Sequence, residues 1–137
     1  ETIKLNVVQP LYRKTSVFGL YSFSNWSDAN ITNHLGASGP GYSDVHKFTL
    51  GVGHRVTDKL ALSVAGIYQT GNSSPTAINL PVTDRKGLAV GARYQVNDKM
   101  HIGATVTHFW LGDTLAGPVS YTGSTSLGAA LNVGYRF

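Results

Sequence analysis

The last twelve residues, Ser126 to Phe137 (S-L-G-A-A-L-N-V-G-Y-R-F), constrain this chain more than any other stretch. Leu127, Ala129, Leu131, Val133, Tyr135 and Phe137 fall on one face at period two. Gly128, Ala130, Asn132, Gly134 and Arg136 fall on the other. Successive side chains of a β-strand point to opposite faces, so the segment reads as a strand with one apolar side and one small or polar side. It is long enough to cross a bilayer at a tilt.

Two architectures accommodate such a strand. An alternating strand that ends on an aromatic carboxyl-terminal residue resembles the assembly signal of bacterial outer-membrane barrels. An edge strand of a soluble β-sandwich shows the same alternation, with its apolar side turned to a protein core. Composition favours the barrel. Only 13% of residues are charged, roughly half the usual share of a soluble domain, while 42% are hydrophobic. Yet mean hydropathy is −0.05, and no apolar run approaches the roughly 18 residues of a membrane-spanning helix. Alternating strands that put one side in lipid and the other in a polar lumen produce that combination.

The 137 residues suffice for a single domain. With no cysteine, disulfide scaffolds and thiolate metal sites are excluded. The net charge is +4, but the basic residues are scattered over strand ends and turns without a cluster, so no nucleic-acid partner is expected. The chain starts at Glu1 without a recognisable leader, which leaves a removed leader or a longer parent chain as the expectation.

Seven strand-like segments can be read, at roughly 2–9, 15–25, 45–56, 59–69, 86–96, 99–110 and 126–137. Their connections alternate in length. Short ones fall at 10–14, 57–58 and 97–98; long ones, rich in Gly, Ser, Asn and Pro, fall at 26–44, 70–85 and 111–125. Outer-membrane barrels sort their connections in this way, with tight turns at the periplasmic rim and long loops outside. An internal repeat at an offset of 40 supports the same plan: Leu50–Tyr68 parallels Val90–His108, each a hairpin around V-x-D-K with Thr57-Asp58 or Asn97-Asp98 at the turn. Lys59 and Lys99 then sit at the membrane–water boundary.

In both hairpins the even-numbered positions are apolar, among them Leu50, Val52, Leu62, Val64, Leu88, Val90, Ile102 and Val106. These are assigned to lipid, with Tyr68, Tyr94, Trp110 and Tyr135 at the headgroup level. The opposite parity carries Thr49, Arg55, Ser63, Gln69, Arg93, Gln95, His101, Thr105, Thr107, Asn132 and Arg136, which belong in a lumen. If Phe137 ends at the periplasmic rim, seven strands place Glu1 at the outer face. Single-chain bacterial barrels have even strand counts and begin in the periplasm, so the expected fold is part of a larger transmembrane antiparallel barrel. Residues 1–137 then form one barrel segment, completed by a missing amino-terminal half or a second polypeptide.

Ser16–Ser27 (S-V-F-G-L-Y-S-F-S-N-W-S) resembles the strand ending in an N-W-S-like motif of the FadL/TodX family. Tyr42–Gly51 (Y-S-D-V-H-K-F-T-L-G), Val82–Gly91 (V-T-D-R-K-G-L-A-V-G) and Gly128–Phe137 are similar to that family's Asp-led strand beginnings and to its ending, in the same order and spacing. The resemblance implies the carboxyl-terminal half of a fourteen-stranded all-β barrel. It also implies passive outer-membrane diffusion of long-chain fatty acids or aromatic hydrocarbons, with outer-membrane lipid and lipopolysaccharide as surroundings. The family's internal plug and lateral wall opening lie in the other half and map onto no residue here.

The candidate ligand-contact residues are the apolar and cationic ones on lumen parity. Phe18, Leu20, Trp26, Ile67, Phe109 and Leu111 would suit an apolar ligand path, or packing against an internal plug. Arg93 and Arg136 could attract a carboxylate, or pair with Asp58 or Asp98. No metal is expected, because His34, His46, His54, His101 and His108 lack ligand spacing with a carboxylate partner. No cofactor and no catalytic residue are implied. The alternatives are a small outer-membrane barrel of enzyme or adhesin type, with His34, Ser38 and Asp44 of the first long loop as a conceivable triad, or a soluble sandwich binding module.

Overall fold

The computed structural model describes residues 1–27, 43–71, 84–116 and 119–137. Seven long strands form one antiparallel sheet: β1 (Thr2–Tyr12), β2 (Thr15–Ser24), β3 (Val45–Arg55), β4 (Leu60–Gln69), β5 (Arg85–Gln95), β6 (Met100–Leu111) and, after a small hairpin, β9 (Thr125–Tyr135). The hairpin consists of β7 (Thr114–Ala116) and β8 (Val119–Tyr121) and pairs only with itself. The sheet runs β1-β2-β3-β4-β5-β6-β9, every strand beside its neighbour in sequence. Among the described residues, no helix is long and apolar enough to cross a membrane.

No second layer covers this sheet among the described residues. Among the described residues, no large side chain is fully buried, and the only buried hydrophobic residue is Ala65. The apolar parity is the exposed one: Leu62 is 45% exposed, Val90 55%, Ile102 39% and Leu131 82%. A sandwich would have dried these side chains against another sheet. Instead, cross-strand register collects them into outward rows, the middle one being Val17–Val52–Val64–Val90–Val106–Ala129. Aromatic rows bound this surface. Tyr21, Phe48, Tyr68 and Trp110 lie in register at the loop end, and Tyr94 and Tyr135 lie near the turn end. From Trp110 to the Met100–Tyr135 row is about 33 Å of strand, or about 25 Å of height at ordinary barrel tilt, which is the height of a barrel's apolar band.

The inner face is made thin by a recurring pair. Gly51, Gly87, Gly103 and Gly134 are the register partners of Phe18, Phe109, Asn132 and His101. Each of these larger side chains lies across its glycine, in the space that a Cβ would need. Folding a ring sideways over a cross-strand glycine satisfies both the ring's surface and the strand's bare backbone.

The turns explain the internal repeat. Thr57 Oγ1 accepts hydrogen bonds from the Lys59 and Leu60 amides at 3.2 and 2.9 Å. Asn97 Oδ1 accepts from those of Lys99 and Met100, both at 2.9 Å. The residue before each Asp therefore closes the turn. Asp58 instead forms an exposed ion pair with Lys14 at 3.5 Å.

Two segments differ from the sequence expectation. β1 runs past Pro10 to Tyr12, with a register irregularity between them, so the first connection is only Arg13-Lys14 rather than 10–14. Pro10 is tolerated because its nitrogen is turned away from β2, so the β1–β2 ladder loses no bond. The β7–β8 hairpin lies inside 111–125, which the sequence presents as a single loop.

Strand direction fixes what can close the sheet. β1 and β9 are its two edges and run the same way, from the loop end to the turn end. An antiparallel closure therefore needs an odd number of further strands. A second copy inserted in the same orientation would meet these edges parallel.

Substitutions on the two faces should differ sharply. Val106→Arg, at mid-height on the outward face, is expected to destabilise the membrane-inserted full-length protein by about 2–4 kcal/mol, and inward Thr107→Arg by well under half of that. Gly51→Ala is expected to cost about 1–3 kcal/mol, because its Cβ would meet Phe18, the Val64 carbonyl and Ala65. Gly66→Ala, which meets nothing within 4 Å, should stay within about 0.5 kcal/mol. Denaturant midpoints in lipid vesicles would measure all four.

Candidate functional site

The inner face can be read row by row from the register. One row holds Asn6, Leu20, Thr49, Ile67, Gly87, Phe109 and Ser126. The next towards the turns holds Val8, Phe18, Gly51, Ala65, Ala89, Thr107 and Gly128. Leu20, Ile67 and Phe109 thus share a single row, Phe18 lies one row below, and Leu111 lies one row above, opposite Arg85. Leu20, Ile67 and Phe109 form an apolar belt on the face that otherwise carries Ser, Thr, Asn and Arg, with Phe18 and Leu111 in the adjacent rows. Leu20 is the most open of them, at 43% exposure. Phe18 and Phe109 reach over Gly51 and Gly87, into the space that a Cβ would take there.

The remaining candidates lie elsewhere. Arg93 is six residues down β5 from Gly87, about 20 Å along the strand. It shares a row with Arg55, Ala61, Gly103 and Asn132. Arg136 follows the end of β9 at the turn side, its amide donating to the Lys99 carbonyl at 2.8 Å. Neither arginine pairs with Asp58 or Asp98. Trp26 lies at the outer rim beyond β2, where its amide donates to Asp44.

Sequence reasoning missed Arg85. In the D-R-K-G stretch it reads as a strand beginning, but its parity is inward. Its Nη2 donates to Gln69 Oε1 at 2.7 Å, its guanidinium lies 5.1 Å from the Phe109 ring centre, and its buried Nε has no hydrogen-bond partner. Gln69 itself is only 7% exposed. The signal was present in the repeat: odd positions of β5 are inward, and residue 85 is odd.

The bases of the outer loops are tied by aspartates. Asp44 Oδ1 accepts from the Trp26 and Ser27 amides, both at 2.9 Å, joining the two legs of the first loop. Asp84 accepts from the Gly71 amide and, at 3.1 Å, from the Tyr68 hydroxyl. Asp113 accepts from the Gly123 amide at 3.1 Å. In the conceivable triad, His34 and Ser38 lie outside the described residues, and the carboxylate of Asp44 is engaged in this clamp. The histidines expected at the interface are outward: His54 is bonded to Thr15 at 2.8 Å, and His108 packs edge-on against Trp110.

An uncovered apolar outer face, an inner face of mixed polarity, and loops and turns sorted to opposite ends define a section of transmembrane barrel wall. Residues 11–134 match the sequence model of the outer membrane protein transport protein family (OMPP1/FadL/TodX), and the chain belongs to that family. Among solved structures it is similar to that described as the crystal structure of a Pseudomonas aeruginosa FadL homologue, with a TM-score of 0.69 and 18% identity. The match covers 96% of this chain and 32% of that one, so the chain spans about a third of that relative's length. No curated protein sequence matches the chain.

The hydrogen bond from the Ser27 amide is the main cause holding the Asp44 carboxyl below the ordinary aspartate value. A depressed folded value means the clamp contributes above the unfolded value and is lost as pH falls through the folded one. In a Trp110→Phe background, Trp26 fluorescence should titrate with a midpoint below 3.8, and Asp44→Asn should abolish that titration.

Proposed function

We propose that this chain forms half of the wall of a fourteen-stranded channel in the bacterial outer membrane. Through it, hydrophobic small molecules such as long-chain fatty acids or aromatic hydrocarbons diffuse down their gradient. The other seven strands come from an amino-terminal half or a second polypeptide, which meets the requirement for an odd number of strands to close the sheet. The outward rows lie against lipid and lipopolysaccharide, and each of the seven strands crosses the membrane.

The observation that carries this reading is the apolar belt on the wrong face for a water-filled pore. Leu20, Ile67 and Phe109 occupy one row, with Phe18 directly below, where a porin would place polar groups. A ligand entering at the loop end exchanges water for these side chains. At roughly 25 cal/mol per Å² of apolar area, contact with several of them offsets much of the cost of leaving a micelle or membrane. The wall performs no chemistry in this reading. In this reading Arg93 and Arg136, near the turn end, meet a ligand's polar end after it has passed the belt.

Leu20→Ser combined with Ile67→Ser should lower uptake of a hydrophobic substrate about tenfold in cells carrying the full-length protein, with diffusion of a sugar unchanged. Radiolabelled uptake measures the first and liposome swelling the second. Unchanged hydrophobic uptake, or a hydrolase activity in the purified protein, would contradict this function.

A further inference from the structure

One charged side chain of the sheet is on the lipid-facing side. Of Lys4, Lys47, Arg55, Arg85, Lys86 and Arg93, register turns all but Lys86 inward. Lys86 belongs to the outward row Leu5–Tyr21–Phe48–Tyr68–Lys86–Trp110, at the loop end, with Tyr68 and Trp110 as its two cross-strand neighbours. Among the described residues it has no ion pair; the one present there is Lys14–Asp58. Asp84, the nearest acid along its strand, accepts instead from the Gly71 amide and the Tyr68 hydroxyl. An outward cation of this kind belongs at the headgroup level, where its stem lies on apolar surface and its ammonium reaches an anion.

The next outward row towards the turns is notched. Gly19 and Gly66 stand in it on either side of Leu50, two strands apart, which is about 10 Å. A Cβ on either would meet nothing within 4 Å, whereas the inward Gly51, Gly87, Gly103 and Gly134 have that space filled by neighbours. Over Gly19 the notch is a groove of about 390 Å³, bounded by Leu5, Val7, Tyr21, Phe48 and Leu50. At the loop side of this groove, the Tyr21 hydroxyl is bonded to His46 Nδ1 at 2.9 Å. The His46 Nε2 has no partner among the described residues. Polar groups therefore stand on the loop side and apolar hollows below them, in the order in which a lipid carries its head and tails.

We propose that this outward patch holds one molecule of lipopolysaccharide. A phosphate of its head meets Lys86, its sugars lie against Tyr68 and Trp110, and two of its acyl chains occupy the hollows over Gly19 and Gly66, astride Leu50. The charge of Lys86 selects an anionic head through a charge-assisted hydrogen bond. Two hollows beneath one head suit a lipid that carries several chains, and filling them removes apolar surface from looser contact. The site goes beyond the transport reading and takes from it only the orientation that puts the long loops outside, on the side of the glycolipid leaflet.

The test uses the full-length protein in detergent, with bound lipid counted by native mass spectrometry. The probes are deep-rough lipopolysaccharide, the same molecule after dephosphorylation, and phosphatidylglycerol. Native protein is expected to retain one lipopolysaccharide. Lys86→Gln should weaken that binding about tenfold and leave the dephosphorylated form unaffected. Gly19→Leu combined with Gly66→Leu fills both hollows and should weaken both forms about tenfold. Ala129→Leu, the same added bulk on the outward face of β9, should change neither. Heat-modifiable migration on unboiled gels shows that each variant is folded; if the double variant is not, Gly19→Leu alone is measured, with the same expected direction. Undiminished binding by Lys86→Gln or by the filled variant would overturn the site. Equal loss in Ala129→Leu, or phosphatidylglycerol bound as tightly as lipopolysaccharide, would also overturn it. Uptake of a hydrophobic substrate by native protein is read separately: uptake without lipopolysaccharide retention overturns the site alone, and retention without uptake overturns the transport reading alone.

Discussion

A one-layer sheet has no core, so the apolar side it presents must be covered by something other than its own chain. The rest of the structure depends on this constraint. The outward rows of Val, Leu and Ile, which a sandwich would bury against a second sheet, are uncovered over the whole length of the strands. Hydrocarbon can cover them at no cost in unsatisfied polar groups, because backbone donors and acceptors within the sheet are used in the ladders. Among the described long strands, β1 and β9 are the two edges, and their outer sides keep unpaired backbone groups.

The same constraint shapes the inner face. A barrel wall is one residue thick, and inward side chains must fill gaps without blocking the interior. The four glycine pairs accomplish this by laying Phe18, Phe109, Asn132 and His101 flat over bare backbone. Flattening the aromatic rings turns them into wall surface, and it also supports Arg85, whose guanidinium stacks on the ring that covers Gly87. The same ring thus covers a glycine and sits beside a cation at the loop end of the inner face.

Much of the architecture was legible because period-two alternation is strong and long here. The segments around Leu50–Tyr68 and Val90–His108 were placed with the correct parity, and the seven strands were found within a few residues of their ends. Periodicity could not say what covers the apolar side, since lipid and a protein core demand the same pattern; the uncovered rows decide it. The strand past Pro10 was missed because a proline reads as a break, although its missing N–H costs the β1–β2 ladder no bond. β7 and β8 were missed because three-residue strands are too short to show a period. The apolar belt was legible as apolar residues on the polar parity. That Lys4, Lys47 and Arg85 share one inward row was not, because they are 81 positions apart from first to last and meet only once register is known. The aspartate clamps were visible as Asp-led strand beginnings, but their role required knowing which loop legs lie side by side.

The central claim is that even-numbered side chains of β3 to β6, and odd-numbered ones of β9, face acyl chains while their neighbours face an enclosed interior. It is tested most directly by spin labels at successive positions 100 to 110 of the full-length protein in bilayers, reading collision with oxygen, which concentrates in lipid, against a water-soluble nickel complex. We predict strict alternation, with oxygen access highest at 102, 104 and 106 and nickel access higher at 103, 105 and 107. Low access to both reagents at 102, 104 and 106, as in a dry protein core, would contradict it.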